Sequence, residues 1–175
     1  MSEIANETLG LILLILVLLS GFFSSSETGL MAINRVRLQH QAEQGSKSAL
    51  RILSLLNRPD RVLGLILIGN NFVNILASAI ATVLAVRLFG DAGVAIATGL
   101  LTLVILIFAE VTPKTFAALH PERIAGPSSL ILIPLLTIAY PIVWITNLMS
   151  NGLLRLLGIN LASSSKDRLT KEELR

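Results

Sequence analysis

The sequence predicts an all-α membrane protein with three transmembrane helices, two short cytoplasmic helices and a proline-kinked juxtamembrane belt helix. Of its 175 residues, 53% are hydrophobic and only 14% are charged, against about 25% charged residues in an average soluble domain. Uncharged runs of 19, 25, 18 and 31 residues lie between Glu7 and Glu27, Arg61 and Arg87, Asp91 and Glu110, and Arg123 and Arg155. A bilayer span needs about 20 mostly apolar residues. The runs therefore exclude a soluble enzyme and a nucleic-acid-binding module.

The first predicted span covers about residues 9–33, and a basic loop follows it. Apolar residues at helical spacing, interrupted at Gly45 and Ser46, predict two short amphipathic helices within residues 35–57. Cytoplasmic loops carry an excess of Lys and Arg, so this loop is predicted to be cytoplasmic and the N-terminus external. Its six basic residues are Arg35, Arg37, Lys47, Arg51, Arg58 and Arg61.

The second and third spans are predicted over about residues 62–88 and 93–119. The turn at residues 89–92 carries no basic residue, as is typical of an external loop. The charge pattern therefore predicts that the chain is back in the cytoplasm after His120.

The last uncharged run is long enough to cross the membrane, but Pro127, Pro134 and Pro141 recur in it every seven residues. A fourth crossing would also place the basic residues that follow it outside, against the positive-inside tendency. The preferred interpretation is a bent helix over about residues 123–157 that lies in the cytoplasmic interface as a belt. A fourth span is the alternative.

Residues 1–160 are thus predicted to form a transmembrane domain. Residues 161–175 are predicted to be a linker and the start of a truncated cytoplasmic region. The basis is a capping-box pattern, with Thr170 as N-cap and Glu173 three residues later.

Polar residues inside a span are costly and tend to be functional, and here they cluster. Ser20, Ser24 and Glu27 share one face of the first span, while Gly69, Asn70 and Asn74 lie together in the second. In the third, Glu110 precedes Pro113, which cannot donate a hydrogen bond to the carbonyl of Ala109. Freed carbonyls at membrane depth are tolerated where they line a cavity or an ion site.

The depths of these residues predict that they meet. At a rise of about 1.5 Å per residue, Ser24 lies about 24 Å from the outer end of its helix and Glu110 about 26 Å from the outer end of its own. Asn70 lies about 14 Å from the inner edge. All three fall in the inner half of a core about 30 Å thick, which predicts one pocket open to the cytoplasm.

The predicted donors are hydroxyl, amide, carbonyl and carboxylate oxygens, a set that favours Mg²⁺, Ca²⁺ or Na⁺ over zinc or copper. The chain has no cysteine, and His40 and His120 lie outside the spans. Structural alternatives are small-residue packing for the serines and interhelical hydrogen bonding for the asparagines. Lys114 could neutralise Glu110 at i+4, and Glu27 could pair with Arg35.

Three motifs then coincide in order, at residues 22–30 (FFSSSETGL), 69–74 (GNNFVN) and 110–114 (EVTPK). Together they resemble the transmembrane domain of the CorC/CNNM family of magnesium transporters. The resemblance implies a homodimer in the cell membrane that exports Mg²⁺ in exchange for Na⁺ and is regulated by its own CBS-pair domain. By motif, the ion pocket falls on Ser24, Asn70 and Glu110, with Ser20, Gly69 and Asn74 as further ligands. Gly29 departs from the alanine frequent in that family.

The leading hypothesis is therefore the membrane domain of a Mg²⁺ transporter. The alternative is a Mg²⁺ sensor or scaffold that binds the ion without moving it. An intramembrane enzyme is disfavoured, because the spans contain no Ser–His, paired-Asp or HExxH arrangement.

Overall fold

A computed structural model describes residues 5–90 and 93–156, and the regular structure within those residues is helical. The predicted linker and truncated region at residues 161–175 lie outside the described residues, as do two residues of the predicted external turn. The elements are α1 (Asn6–Ala32), α2 (Arg35–Glu43), α3 (Lys47–Leu56), α4 (Pro59–Phe89), α5 (Gly93–Val104), a π-helical segment (Ile105–Val111), α6 (Thr112–Leu119), α7 (Pro121–Ile138) and α8 (Tyr140–Leu156).

Among the described residues, three single helices are long and apolar enough to cross a membrane, in agreement with the three predicted spans. The first is α1 and the second is α4; the third is the continuous helix formed by α5, the π-helical segment and α6. The first and third each have 27 residues. At about 1.5 Å per residue such a helix is about 40 Å long, which exceeds a hydrocarbon core of about 30 Å.

Two short helices occupy the basic loop, and side chains cap their N-termini. The Asn34 side chain accepts a hydrogen bond from the Arg37 amide at the start of α2. Ser46 does the same for the Ala49 amide at the start of α3. Each cap satisfies one amide that has no partner within its helix. Gly45, with φ of +87°, supplies the left-handed turn between the two helices.

The proline-rich segment forms two helices rather than one kinked helix. Pro127 and Pro134 lie inside α7, but the chain bends by 76° between α7 and α8, at Ala139 and just before Pro141. The pair also meets the length and composition criteria for one bent span. Its location as an interfacial belt therefore stays a prediction.

The bundle is built around α1, which contacts α4, the π-helical segment, α6 and α7. Small residues let these helices approach closely. A Cβ on Gly21 would lie 3.4 Å from Pro113 Cγ, and one on Gly29 would lie 3.1 Å from Ile124 Cγ2. Gly29 thus allows close packing of α1 against α7.

α1 and α4 approach closely at Gly69. A Cβ at this position would lie 2.6 Å from Cζ of Phe23, whose ring is buried. Overpacking of this kind costs about 1–3 kcal/mol. We therefore expect Gly69→Ala to lower the melting temperature of the purified protein in detergent, and the added Phe23→Leu change to restore part of the loss.

Gly99→Ala is the matched control, because this helical glycine has open space where its Cβ would lie. It should leave the melting temperature unchanged or raise it, since alanine is the better helix former. Equal losses for Gly69→Ala and Gly99→Ala would contradict the packing role of Gly69.

Candidate functional site

The candidate site lies where α1 meets α4 and the third span. Ser20 Oγ on α1 donates a hydrogen bond of 2.9 Å to Asn70 Oδ1 on α4. Ser20 is fully buried and Asn70 is partly buried. The contact fixes the rotation of α4 against α1 and orients the Asn70 amide at the level of the predicted pocket.

Ser24 lies one turn further along α1 and is fully buried. On an α-helix its side chain projects about 40° from that of Ser20 and about 60° from the position of Gly21. Ser20 contacts α4 and Gly21 faces the third span at Pro113. Ser24 therefore projects towards the line where α1, α4 and the third span meet.

Two side-chain oxygens of α1 and α4 are buried without a hydrogen-bond partner among the described residues. They are Ser24 Oγ and Asn74 Oδ1, and Asn74 lies one turn of α4 from Asn70. A buried polar atom without a partner typically costs about 1–3 kcal/mol. Such atoms in native proteins usually face water, an ion or a functional group.

The third span widens into the π-helical segment just before Pro113. The Thr112 amide donates to the Ile107 carbonyl, five residues earlier, instead of to the Phe108 carbonyl. If the same five-residue spacing continues, the amide of residue 113 would donate to the Phe108 carbonyl. Residue 113 is proline, which has no N–H to donate. The Phe108 carbonyl is therefore left without its α-helical donor. That Pro113 also leaves the Ala109 carbonyl without a donor stays a prediction.

The Phe108 carbonyl lies on the side of the third span that faces α1. Its oxygen is 3.5 Å from the position that a Cβ on Gly21 would take. Sequence reasoning missed this group, because the shift to π-helical register is not visible in the residue pattern. The signal was Pro113 itself, and π-helical turns occur frequently at functional sites.

Glu110 lies within the π-helical segment and is partly buried. Its predicted neutralisation by Lys114 is wrong, because Lys114 Nζ instead lies 3.8 Å from Glu27 Oε2. The same contact replaces the predicted pairing of Glu27 with Arg35. In the part of the chain that the structure describes, no ion pair involves the Glu110 carboxylate. The Lys114–Glu27 pair is partly exposed, so it stabilises the helix ends only weakly.

The described residues contain no group of three or more His, Cys, Asp or Glu side chains that could hold a metal ion. A cation bound near Ser24 would therefore depend on neutral oxygens and the Glu110 carboxylate. An apolar groove of about 370 Å³ lies further out between α1, α4 and α5. Residues such as Leu13, Ala81 and Leu101 line this groove, so it offers a cation no polar side chain.

A second buried polar contact joins α1 to α7. Ser26 Oγ lies 2.8 Å from Ser128 Oγ and 2.6 Å from the Phe22 carbonyl. Next to it, Arg51 Nε of α3 donates to Ser129 Oγ over 3.4 Å. Ser128 and Ser129 were not among the site residues predicted from the sequence. Their position directly after Gly126 and Pro127 in an apolar run was the available signal.

Residues 11–175 match the family model of the Cyclin M transmembrane N-terminal domain. The chain belongs to this family. The match confirms the CorC/CNNM resemblance carried by the three motifs, and it covers all the candidate site residues named above.

Several relatives support the assignment. The chain is 55% identical over 157 residues to the UPF0053 inner membrane protein YfjD of Escherichia coli, covering 90% of this chain and 37% of that protein. It is 51% identical over 175 residues to a UPF0053 protein of Haemophilus influenzae, covering the whole chain and 41% of the relative. A polyamine export protein of Salmonella typhimurium is 28% identical over 189 residues, which covers 93% of this chain and 39% of that protein.

The chain thus spans about two fifths of the length of these curated relatives. Together with the three long apolar helices, the inner-membrane relative supports a multi-pass membrane domain. The family is one of membrane domains.

Ser24 and Ser26 are both fully buried on α1, but only Ser26 has hydrogen-bond partners. A hydrogen bond contributes about 1 kcal/mol, so we expect Ser26→Ala to destabilise the protein by about that amount. Ser24→Ala removes an orphan hydroxyl and should leave stability equal or higher. Thermal unfolding of the two variants in the same detergent without added Mg²⁺ tests this difference. A drop for Ser24→Ala as large as that for Ser26→Ala would contradict the orphan assignment.

Proposed function

We propose that this chain is the membrane domain of a transporter that exports Mg²⁺ in exchange for Na⁺. The ion pocket is formed by Ser24, Asn70 and Glu110, with Ser20, Gly69 and Asn74 contributing through side chains or carbonyls. The observation that carries the proposal is the pair of buried oxygens without partners, Ser24 Oγ and Asn74 Oδ1. Each lies one helical turn from the Ser20–Asn70 contact, Ser24 on α1 and Asn74 on α4.

The chemistry of these groups suits a hard divalent cation. Mg²⁺ prefers oxygen ligands and keeps part of its water shell when few carboxylates are present. Glu110 supplies one negative charge, so the pocket neutralises only half the charge of Mg²⁺. The resulting weak binding serves transport, because a transported ion must also leave its site.

Ser20 and Gly69 have supporting roles in this proposal. By donating to Asn70 Oδ1, the Ser20 hydroxyl holds the amide in place until an ion competes for the same oxygen. Gly69 leaves room for the Phe23 ring. Its part in ion binding is limited to its backbone carbonyl, since it has no side chain.

The orientation and assembly are part of the same proposal. The basic loop and the start of α7 lie at the same end of the bundle, since Arg37 pairs with Glu122. The positive-inside tendency places this end in the cytoplasm and the N-terminus outside. The working unit is a homodimer in the cell membrane, and each subunit continues into its own CBS-pair domain.

A second candidate cargo is a polyamine, because relatives from Salmonella typhimurium and Escherichia coli are named polyamine export proteins. A polyamine carries several separated positive charges. Recognition would require carboxylates spaced along a groove, and the proposed pocket has only Glu110. The apolar groove near Leu13 and Leu101 offers no charge to such a cargo. Mg²⁺ is therefore the better match.

Flux measurements on proteoliposomes containing this chain and a Mg²⁺-sensitive dye test the pocket. Glu110→Gln removes the carboxylate and Asn70→Ala removes the amide, so each should reduce Mg²⁺ flux at least about tenfold, as loss of a charge-assisted ligand does. Glu27→Gln is the matched control, since Glu27 pairs with Lys114 and should keep its flux. Unchanged flux in both pocket variants would overturn the assignment.

Ion coupling and cargo are tested in the same vesicles. We expect Mg²⁺ flux to rise when a Na⁺ gradient drives Na⁺ across the membrane in the opposite direction to Mg²⁺. Spermidine on either side of the membrane should leave the Mg²⁺ flux unchanged. Flux that does not depend on Na⁺ would exclude exchange and leave a channel or uniporter. Spermidine transport without Mg²⁺ transport would favour the polyamine candidate. Mg²⁺ binding without flux under any gradient would favour the sensor or scaffold.

A further inference from the structure

A polar cavity of about 360 Å³ lies at the end of the bundle where α1 and α6 end, away from the proposed ion pocket. Its wall includes Ala32 and Leu119, the last residues of the first and third candidate spans. It also includes residues at the starts of α2 and α7. Because two spans end in its wall, the cavity lies at the depth of the lipid headgroups.

The wall carries more positive than negative charge. Arg37 of α2 and Arg123 of α7 both line it, and Glu122 is the one carboxylate among its lining residues. Arg37 Nε donates to Glu122 Oε1 over 3.2 Å and so joins α2 to α7. This pair leaves the charge of Arg123 without a balancing carboxylate in the wall.

Other groups in the wall also favour an anion. His120 lines the cavity and offers a ring N–H. The 18-residue helix α7 begins beside it at Pro121, which places the positive end of the helix dipole there. The Arg37–Glu122 pair is held loosely, because 67% of the Arg37 side chain is exposed. Arg37 can therefore turn to a second acceptor at little cost.

We propose that this cavity binds the phosphate headgroup of an anionic phospholipid. Arg37 and Arg123 would donate to the phosphate oxygens, as guanidinium groups do with paired oxygens. Leu119 is 70% exposed at the rim and would contact the start of the acyl chain. This apolar contact favours a lipid over free phosphate. The proposal does not depend on which ion the domain transports.

A lipid bound in this cavity would contact two connections, the one between α1 and α2 and the one between α6 and α7. It would thereby hold these two connections together. These connections lie next to the Glu27–Lys114 pair, which joins α1 to α6. In the orientation proposed above, the site faces the cytoplasmic leaflet, where anionic lipids attract basic side chains.

Native mass spectrometry of the detergent-solubilised chain tests the site by titration with phosphatidylglycerol and with phosphatidylcholine. We expect phosphatidylglycerol to bind more tightly, and the double variant Arg37→Gln, Arg123→Gln to weaken its binding about tenfold. The single variant Arg123→Gln should show part of this loss, and it leaves the Arg37–Glu122 pair intact. Arg58→Gln is the matched control, because Arg58 is an exposed basic residue of the same loop outside the cavity.

Equal weakening by Arg58→Gln would assign the lipid preference to the general surface charge and overturn the site. Unchanged binding in Arg123→Gln and in the double variant would overturn it as well. A third arm adds inorganic phosphate at the same concentration as the lipid. Displacement of phosphatidylglycerol by inorganic phosphate would show that the acyl chain contributes nothing and would overturn the lipid assignment.

Discussion

The structure depends on one constraint: hydroxyl groups buried among membrane-spanning helices must find partners or remain costly. Three fully buried serines on α1 meet this constraint differently. Ser20 donates to Asn70 on α4, and Ser26 pairs with Ser128 on α7. Ser24 has no partner among the described residues. The two satisfied hydroxyls fix α4 and α7 against α1, and the unsatisfied one projects towards the junction of α1, α4 and the third span.

The third span completes this junction through its own backbone. Pro113 packs against Gly21 of α1, and the widened turn before it shifts the hydrogen-bond register by one residue. A short polar connection also leads away from the junction, from Ser26 through α7 to Arg51 on α3. The buried core of the membrane domain is thereby joined to the amphipathic helices at its end.

Much of the site could be predicted because helical spacing and depth are properties of the sequence. Ser20, Ser24 and Asn70 were selected from their positions in apolar runs, and the structure brings Ser20 and Asn70 into contact. The pairing of Lys114 with Glu27 instead of Glu110 could not be predicted. An i+4 neighbour on one helix competes with groups on adjacent helices, and the outcome depends on how those helices are rotated. The same limit applies to Ser128, whose partner is 102 residues away in the chain.

The sequence by itself determined the number of long apolar helices, the basic end of the bundle and the family. These follow from hydropathy, charge and short motifs, which are local and additive along the chain. The tertiary structure decided which polar groups are satisfied and which are free. It also decided that the proline-rich segment bends at Ala139 and that the Phe108 carbonyl loses its donor. The physical reason is that partner choice depends on the rotation and separation of packed helices, and no single helix specifies either.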